Sequence, residues 1–133
     1  MSCEKRLITS NLCMTLDLGL NGNVFGGRIM EWLDEAAAIF VYKELKGRIV
    51  TLKVSEVLFK VPVHERDILE IYGDIKEIGT TSITVDLDAI TADDGVKVCS
   101  CEIKMVHVNE FGEKEAIPED VKARIQAEFQ LCD

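Results

Sequence analysis

The sequence has 133 residues, 47% of them hydrophobic and 29% charged, enough apolar material for one core and no room for a second domain of ordinary size. Acidic residues outnumber basic ones 24 to 15, a net charge of −9. That balance argues against nucleic acid or an anionic membrane as a partner, since a phosphate binder would have to gather its few cations into one patch. The expectation is a single domain over residues 1–133.

Met1 to Arg6 leads into no apolar stretch of signal-sequence length, and no later run approaches the roughly 20 residues of a membrane span. A cytoplasmic protein is expected. Cys3, Cys13, Cys99, Cys101 and Cys132 are an odd set without CxxC spacing, which suits reduced thiols better than a disulfide framework or a zinc site. No metal is expected. Cys99 and Cys101, two apart in a strand-like run, read as small buried side chains on one face.

In chain order, Leu7 to Met14 places Ile8, Leu12 and Met14 on alternate positions, the period of a half-buried strand. Loop residues follow from Asp17 to Asn23, and Gly26-Gly27 opens a stretch from Arg28 to Leu45 free of Gly and Pro, a long helix ended by Gly47. At about 100° per residue, Ile29, Trp32, Leu33, Ala36, Ala37 and Phe40 fill the buried side, opposite a charged stripe of Arg28, Glu31 and Glu35. Asp34 is rotated roughly 60° past Glu31, toward Met30, Ala37, Ala38 and Val41, so it is expected in apolar surroundings. A carboxylate there needs a reason. Trp32 is expected in the core.

The period then becomes two. Val50, Leu52 and Val54 share one face, and Val57, Phe59 and Val61 take the other parity after a shift near Ser55-Glu56, with Pro62 ending the strand. Leu69, Ile71 and Ile75 mark the next strand; Ile83, Val85, Leu87 and Ala89 alternate with Ser82, Thr84, Asp86 and Asp88 in another. Asp93-Asp94-Gly95 turns into a last strand, Val96 to Val108, which Asn109 to Gly112 ends. A short amphipathic helix at about 118–130 closes the chain, with Pro118 at its first position and Val121, Ile125 and Phe129 every four residues. The class is α+β, a sheet that must wrap a helix too apolar for one flat face.

No nucleophile elbow, phosphate-binding loop, dinucleotide fingerprint or HExxH is present, and His64 and His107 stand in no catalytic motif. What remains is Asn23-Val24-Phe25-Gly26-Gly27 leading into the helix that carries Asp34. By spacing alone this is either a reaction centre or a capping Asn, a tight turn and a buried, hydrogen-bonded Asp. The run Asn21 to Glu35, followed by Val50-Thr51, Phe59, Pro62, Asp67 and Gly79-Thr80-Thr81-Ser82, resembles the hotdog-fold acyl-CoA thioesterases, in the bacterial acyl-CoA hydrolase branch related to the long-chain and brain-type enzymes. The resemblance covers about residues 7–118.

It implies a curved antiparallel sheet wrapped around a long central helix and hydrolysis of fatty acyl-CoA without metal or organic cofactor, coenzyme A entering only as part of substrate and product. In its terms Asp34 is general base or nucleophile, Asn23 orients water or thioester, and the Gly27 amide at the helix start receives the carbonyl oxygen. Phe25 and Gly26 fall beside that site. Two departures concern coenzyme A: the family usually carries Gly where this chain has Arg66, and a basic residue where it has Thr80. Lys60 and Arg66 are candidate replacements for the lost cation, and Thr81 and Ser82 are candidate ligand contacts.

Gly27 and Asp34 are seven residues apart, roughly 10 Å along one helix axis. If both act on one carbonyl they must come from two chains, so a homodimer is expected, and by resemblance a trimer of dimers. Three competing functions are a non-catalytic acyl-CoA sensor or binding module, a hydratase or dehydratase, and a structural subunit. The first normally needs an output domain, the second needs a histidine in a motif absent here, and the third would not need Asp34 turned toward the apolar side.

Overall fold

The computed structural model describes residues 5–131. Its elements are β1 (Arg6–Leu12), α1 (Gly26–Leu45), β2 (Ile49–Val54), β3 (Ile68–Ile78), β4 (Ser82–Thr91), β5 (Lys97–His107) and α2 (Glu119–Glu128), with one 3-10 turn at Thr15–Asp17. Every strand pairing is antiparallel, in the order β1-β3-β4-β5-β2. The helix α1 touches all five strands. Five strands at about 4.8 Å spacing span roughly 19 Å, nearly twice a helix's ~10 Å width, so the sheet must curl around α1 to do this.

The expected helix face is the buried one: Ile29, Trp32, Leu33, Ala36, Ala37 and Phe40 all lie in the core, against Leu69, Ile71, Ile75, Ile83, Val85 and Leu87 from the sheet. Cys99 and Cys101 are buried free thiols beneath the helix, as is Cys13 near the β1 end; Cys3 and Cys132 lie outside the described residues. At Gly73 the interior has no room for a side chain: an added Cβ would meet Ile8 Cδ1 at 2.5 Å and Leu87 Cδ2 at 2.9 Å from the neighbouring strands and Phe40 Cδ2 at 3.3 Å from α1. α2 closes the end of the barrel-like wrap. Ile125 and Phe129 are buried, Phe129 edge-on to Phe40 with centroids 5.7 Å apart, and Arg124 donates to the Glu44 carbonyl at the end of α1.

Several expectations are corrected. In β1, Leu12 and Met14 are exposed and Cys13 is buried, because the strand is a sheet edge with a register shift between Leu7 and Thr9 and ends at Leu12. The helix is capped by Lys46 in the left-handed conformation (φ 55°), one residue before Gly47. Gly47 is needed for space instead, since a Cβ there would lie 2.7 Å from His107 Nε2. Pro118 is the N-cap of α2, not its first helical residue.

The strand expected to run to Pro62 stops at Val54, and its parity shift comes earlier, between Thr51 and Lys53. A bulge inserts an extra residue and flips every later side chain to the other face. Val50, opposite Val106, therefore faces away from α1, whereas Val54, opposite Ile103, faces it. Residues 55–63 are irregular but stay beside β5, with Ser55 N–H donating to Glu102 O at 2.9 Å and Lys60 N–H to Val98 O at 2.8 Å. This path carries Phe59 and Lys60 to the start of α1.

Candidate active site

The approach to α1 is fixed from both sides. Val24 N–H donates to Val63 O and Phe25 N–H to Asp17 O, both at 2.8 Å. The Asp17 carboxylate, itself buried, accepts from Met14 N–H at 2.8 Å and from Arg28 Nε at 2.9 Å. That hydrogen bond, ahead of the simple charge attraction, holds the Arg28 guanidinium above its ordinary pKa. The Asp17–Arg28 clasp is invisible to periodicity, because a carboxylate amid loop residues looks like any other.

Phe25 is the N-cap of α1 and has no side-chain oxygen to cap with. Phe25 O accepts from Arg28 and Ile29, while the Gly26 and Gly27 amides have no acceptor among the described residues. Two unsatisfied N–H groups at the positive end of a 20-residue helix are donors for an oxyanion. The glycines also seat two rings. A Cβ on Gly27 would lie 2.6 Å from Phe25 Cε2, and one on Gly26 would lie 3.5 Å from Phe59 Cε2.

A cleft of about 320 Å³ brings together Asn23, Gly26, Ile29, Phe59, Lys60 and Pro62. Three expected site residues, Asn23, Gly26 and Lys60, thus share one surface. Phe25, 61% exposed, faces a different cleft of about 590 Å³ with Leu16, Leu20 and Arg28.

Asp34 departs from expectation: it is exposed, not enclosed by apolar groups of its own chain. Met30, one turn earlier on the same face, is 44% exposed. The carboxylate is held from β2, where Thr51 Oγ1 donates to Asp34 Oδ1 at 2.7 Å. Thr51 lies opposite Met105 and so points toward α1; the alternation pattern, which put Val50, Leu52 and Val54 on one face, left it on the other and gave no reason to single it out. A hydroxyl residue inside an apolar strand was the available signal. Behind the site, burial above all, with Asp34 among the neighbouring negative charges, pushes the Cys101 thiol up to about 12. It is an inert wall.

Thr81 and Ser82 lie elsewhere. Thr81 O accepts from His107 N–H at 2.8 Å and Ser82 pairs with Val106, beside Gly47 and the C-terminal end of α1. Within one chain they are remote from Asn23 and Gly27. Arg66 is exposed in the tight turn that joins Cys13 to Asp67, with Arg66 N–H donating to Cys13 O at 2.7 Å. Its φ is 75°, so the left-handed backbone that favours glycine persists under an arginine. Among the described residues no cluster of three or more His, Cys, Asp or Glu is placed to hold a metal ion, and no helix is long and apolar enough to cross a membrane.

Residues 21–98 match the Thioesterase superfamily. The chain belongs to that family. It is 34% identical over 85 residues to the acyl-CoA thioester hydrolase YciA of Salmonella typhimurium, a stretch covering 64% of each chain. Among solved structures, a hexameric broad-specificity acyl-coenzyme A thioesterase is similar at 25% identity and TM-score 0.86, covering 99% of this chain and 96% of that one. A hexameric hotdog fold thioesterase of Campylobacter jejuni is similar at 30% identity and TM-score 0.80, over 90% of this chain and 95% of that one. The fold of this thioesterase-superfamily chain is the hotdog, with α1 as the wrapped helix.

Proposed function

We propose that the protein is an acyl-CoA thioesterase, releasing free acid and coenzyme A from fatty acyl-CoA. The observation that carries this reading is the Asp34 carboxylate, fixed at 2.7 Å by Thr51 on the exposed face of a helix whose first amides are unsatisfied. A thioester needs little more than a positioned water, a base and a donor for the carbonyl oxygen. Asp34 takes a proton from water as the water oxygen attacks the thioester carbon, or attacks that carbon itself with water clearing the resulting anhydride. Negative charge passes to the carbonyl oxygen, where the Gly27 amide receives it, and Asn23 orients the water or the thioester. Collapse of the intermediate breaks the C–S bond, and the thiolate leaves and takes up a proton.

One chain does not assemble this centre. Gly27 is roughly two helical turns from Asp34, and Asn23 opens onto its own cleft. A homodimer that brings Asp34 of one chain to Asn23 and Gly27 of the other completes it. β2 supplies the surface: it is a sheet edge whose Val50, Leu52 and Val54 are 48%, 56% and 40% exposed, the kind of apolar edge that proteins cover. The hexameric state of the two similar structures supports a trimer of such dimers. The buried free thiols support a cytoplasmic setting.

The test is chromatographic release of coenzyme A from acetyl-, butyryl-, octanoyl- and palmitoyl-CoA, with Asp34→Asn alongside. Turnover that falls at least about a thousandfold in the variant is expected for loss of the base. Tight binding of all four without turnover would overturn the enzyme reading in favour of a binding module.

A further inference from the structure

A thioester held between Gly27 of one chain and Asp34 of the other, as the thioesterase reading requires, dictates how two copies of α1 meet. The two-fold repeats that contact with the chains exchanged, so an early residue of each helix faces a late residue of the other at both ends. Two helices in contact this way run antiparallel. The two-fold axis then passes midway between Gly27 and Asp34, beside Met30 and Glu31. The two reacting carbonyls lie roughly 10 Å apart along the helices, one on each side of the axis.

Between them stands Met30. At about 100° per residue, Gly27, Met30 and Asp34 fall within a sector of about 60°. Glu31 lies about 100° from Met30 around the helix, and its carboxylate accepts from Arg28 at 3.2 Å, an arginine that Asp17 holds at 2.9 Å. Among the described residues of α1 the exposed large apolar side chains are Met30 and Tyr42. Tyr42 is more than two turns past Asp34, beside Lys46 and Gly47. Met30 is about 5 Å along the axis from its own Gly27 and about 6 Å from its own Asp34, so each copy borders both sites.

We infer that the two Met30 side chains meet at the two-fold axis and form the shared end wall of both acyl pockets, which makes Met30 the residue that sets acyl chain length. The two arms of a thioester leave its carbonyl in different directions. One way lies the cleft of Asn21, Asn23 and Lys60, which opens to solvent and offers amide and ammonium groups to the polar thiol arm. The other way runs along α1 toward the axis, where a hydrocarbon meets thioether and methylene groups. Half the distance between the carbonyls, about 5 Å, is room for a short acyl group, and a longer one has to displace the Met30 pair. An unbranched side chain with three rotatable bonds can yield by an atom or two and no further.

The test is kcat/KM on acetyl-, butyryl-, octanoyl- and palmitoyl-CoA for the wild type, Met30→Ala and Met30→Phe. One methylene of space in an apolar pocket is worth about 10–200-fold. The octanoyl-to-acetyl ratio is therefore expected to rise at least about tenfold in Met30→Ala and to fall at least about tenfold in Met30→Phe. Ratios that do not move in these opposite senses, a uniform loss on every substrate included, overturn the proposal and leave hydrolysis standing. A wild type that turns over none of the four overturns the thioesterase reading and the shared wall with it. The place of Met30 at the axis is measured without activity. Met30→Cys, combined with Cys3→Ser and Cys132→Ser, is expected to join two chains through a short dimaleimide, since Cys13, Cys99 and Cys101 are buried. An assembly that sediments as a dimer or larger and that the reagent does not join overturns the proposal whatever the kinetics show.

Discussion

Thr51 Oγ1 and Asp34 Oδ1, 2.7 Å apart, join the edge strand of the sheet to the middle of the wrapped helix. A carboxylate on an exposed helix face ordinarily samples several rotamers. This bond selects one and leaves the second oxygen, Oδ2, free for water. Thr51→Val keeps the shape and removes the donor. The expected outcome is a roughly tenfold fall in kcat for acyl-CoA hydrolysis with KM little changed, the size of one hydrogen bond that matters in the transition state. Steady-state kinetics on butyryl-CoA checks it, and a KM effect of that size with constant kcat would count against the positioning role.

Arg66 sits at φ 75°, where a Cβ costs about 1 kcal/mol relative to glycine. Arg66→Gly should therefore stabilise the protein by up to about 1 kcal/mol, part of the gain being offset by the greater freedom of an unfolded glycine. Urea unfolding measures it; a midpoint that drops would mean that the arginine side chain contributes more than its backbone costs.

Gly73 and Gly27 separate fold from site. A methyl at Gly73 meets Ile8 and Leu87 in the packed interior, and Gly73→Ala should cost about 2–3 kcal/mol through overpacking. A methyl at Gly27 meets only the Phe25 ring, which is 61% exposed and can swing away. Gly27→Ala should melt within a few degrees of wild type and still lose activity, because the displaced ring and added methyl crowd the two free amides. Thermal melts and coenzyme A release on the two variants read both effects.

Burial, first among the causes, pushes the Cys13 and Cys99 thiols up to about 11 and the Cys101 thiol up to about 12, from an ordinary value of 9.0. The unfolded chain releases these protons near the ordinary value while the folded chain keeps them. Above that value the unfolded state binds fewer protons, so stability is fully present below about pH 9 and is lost as pH rises toward 11–12. Urea midpoints taken from pH 7.5 to 10.5 should fall above pH 9, and the fall should shrink in Cys101→Ala relative to its own value at pH 7.5. The same three thiols should resist a thiol reagent at pH 8 until the protein unfolds.

Much of this protein is written in local pattern. The 3.6-residue period of Ile29, Trp32, Leu33, Ala36, Ala37 and Phe40 and the clean alternation of Ile83, Val85, Leu87 and Ala89 are consequences of which side chains must leave water, and each stretch carries that information by itself. Gly26-Gly27 and the Asp34 spacing were legible for the same reason, and with them the family. Three things were decided only by tertiary structure. The bulge at Leu52 turned Thr51 toward Asp34 and Lys53 away from it; where a bulge falls depends on how two distant strands meet, and the strand's own pattern put the shift near Ser55-Glu56 instead. The irregular path of residues 55–63 along β5 delivered Phe59 and Lys60 to Asn23. Asp34 was left uncovered by its own chain, because periodicity tells which face of a helix is apolar but not which molecule covers it.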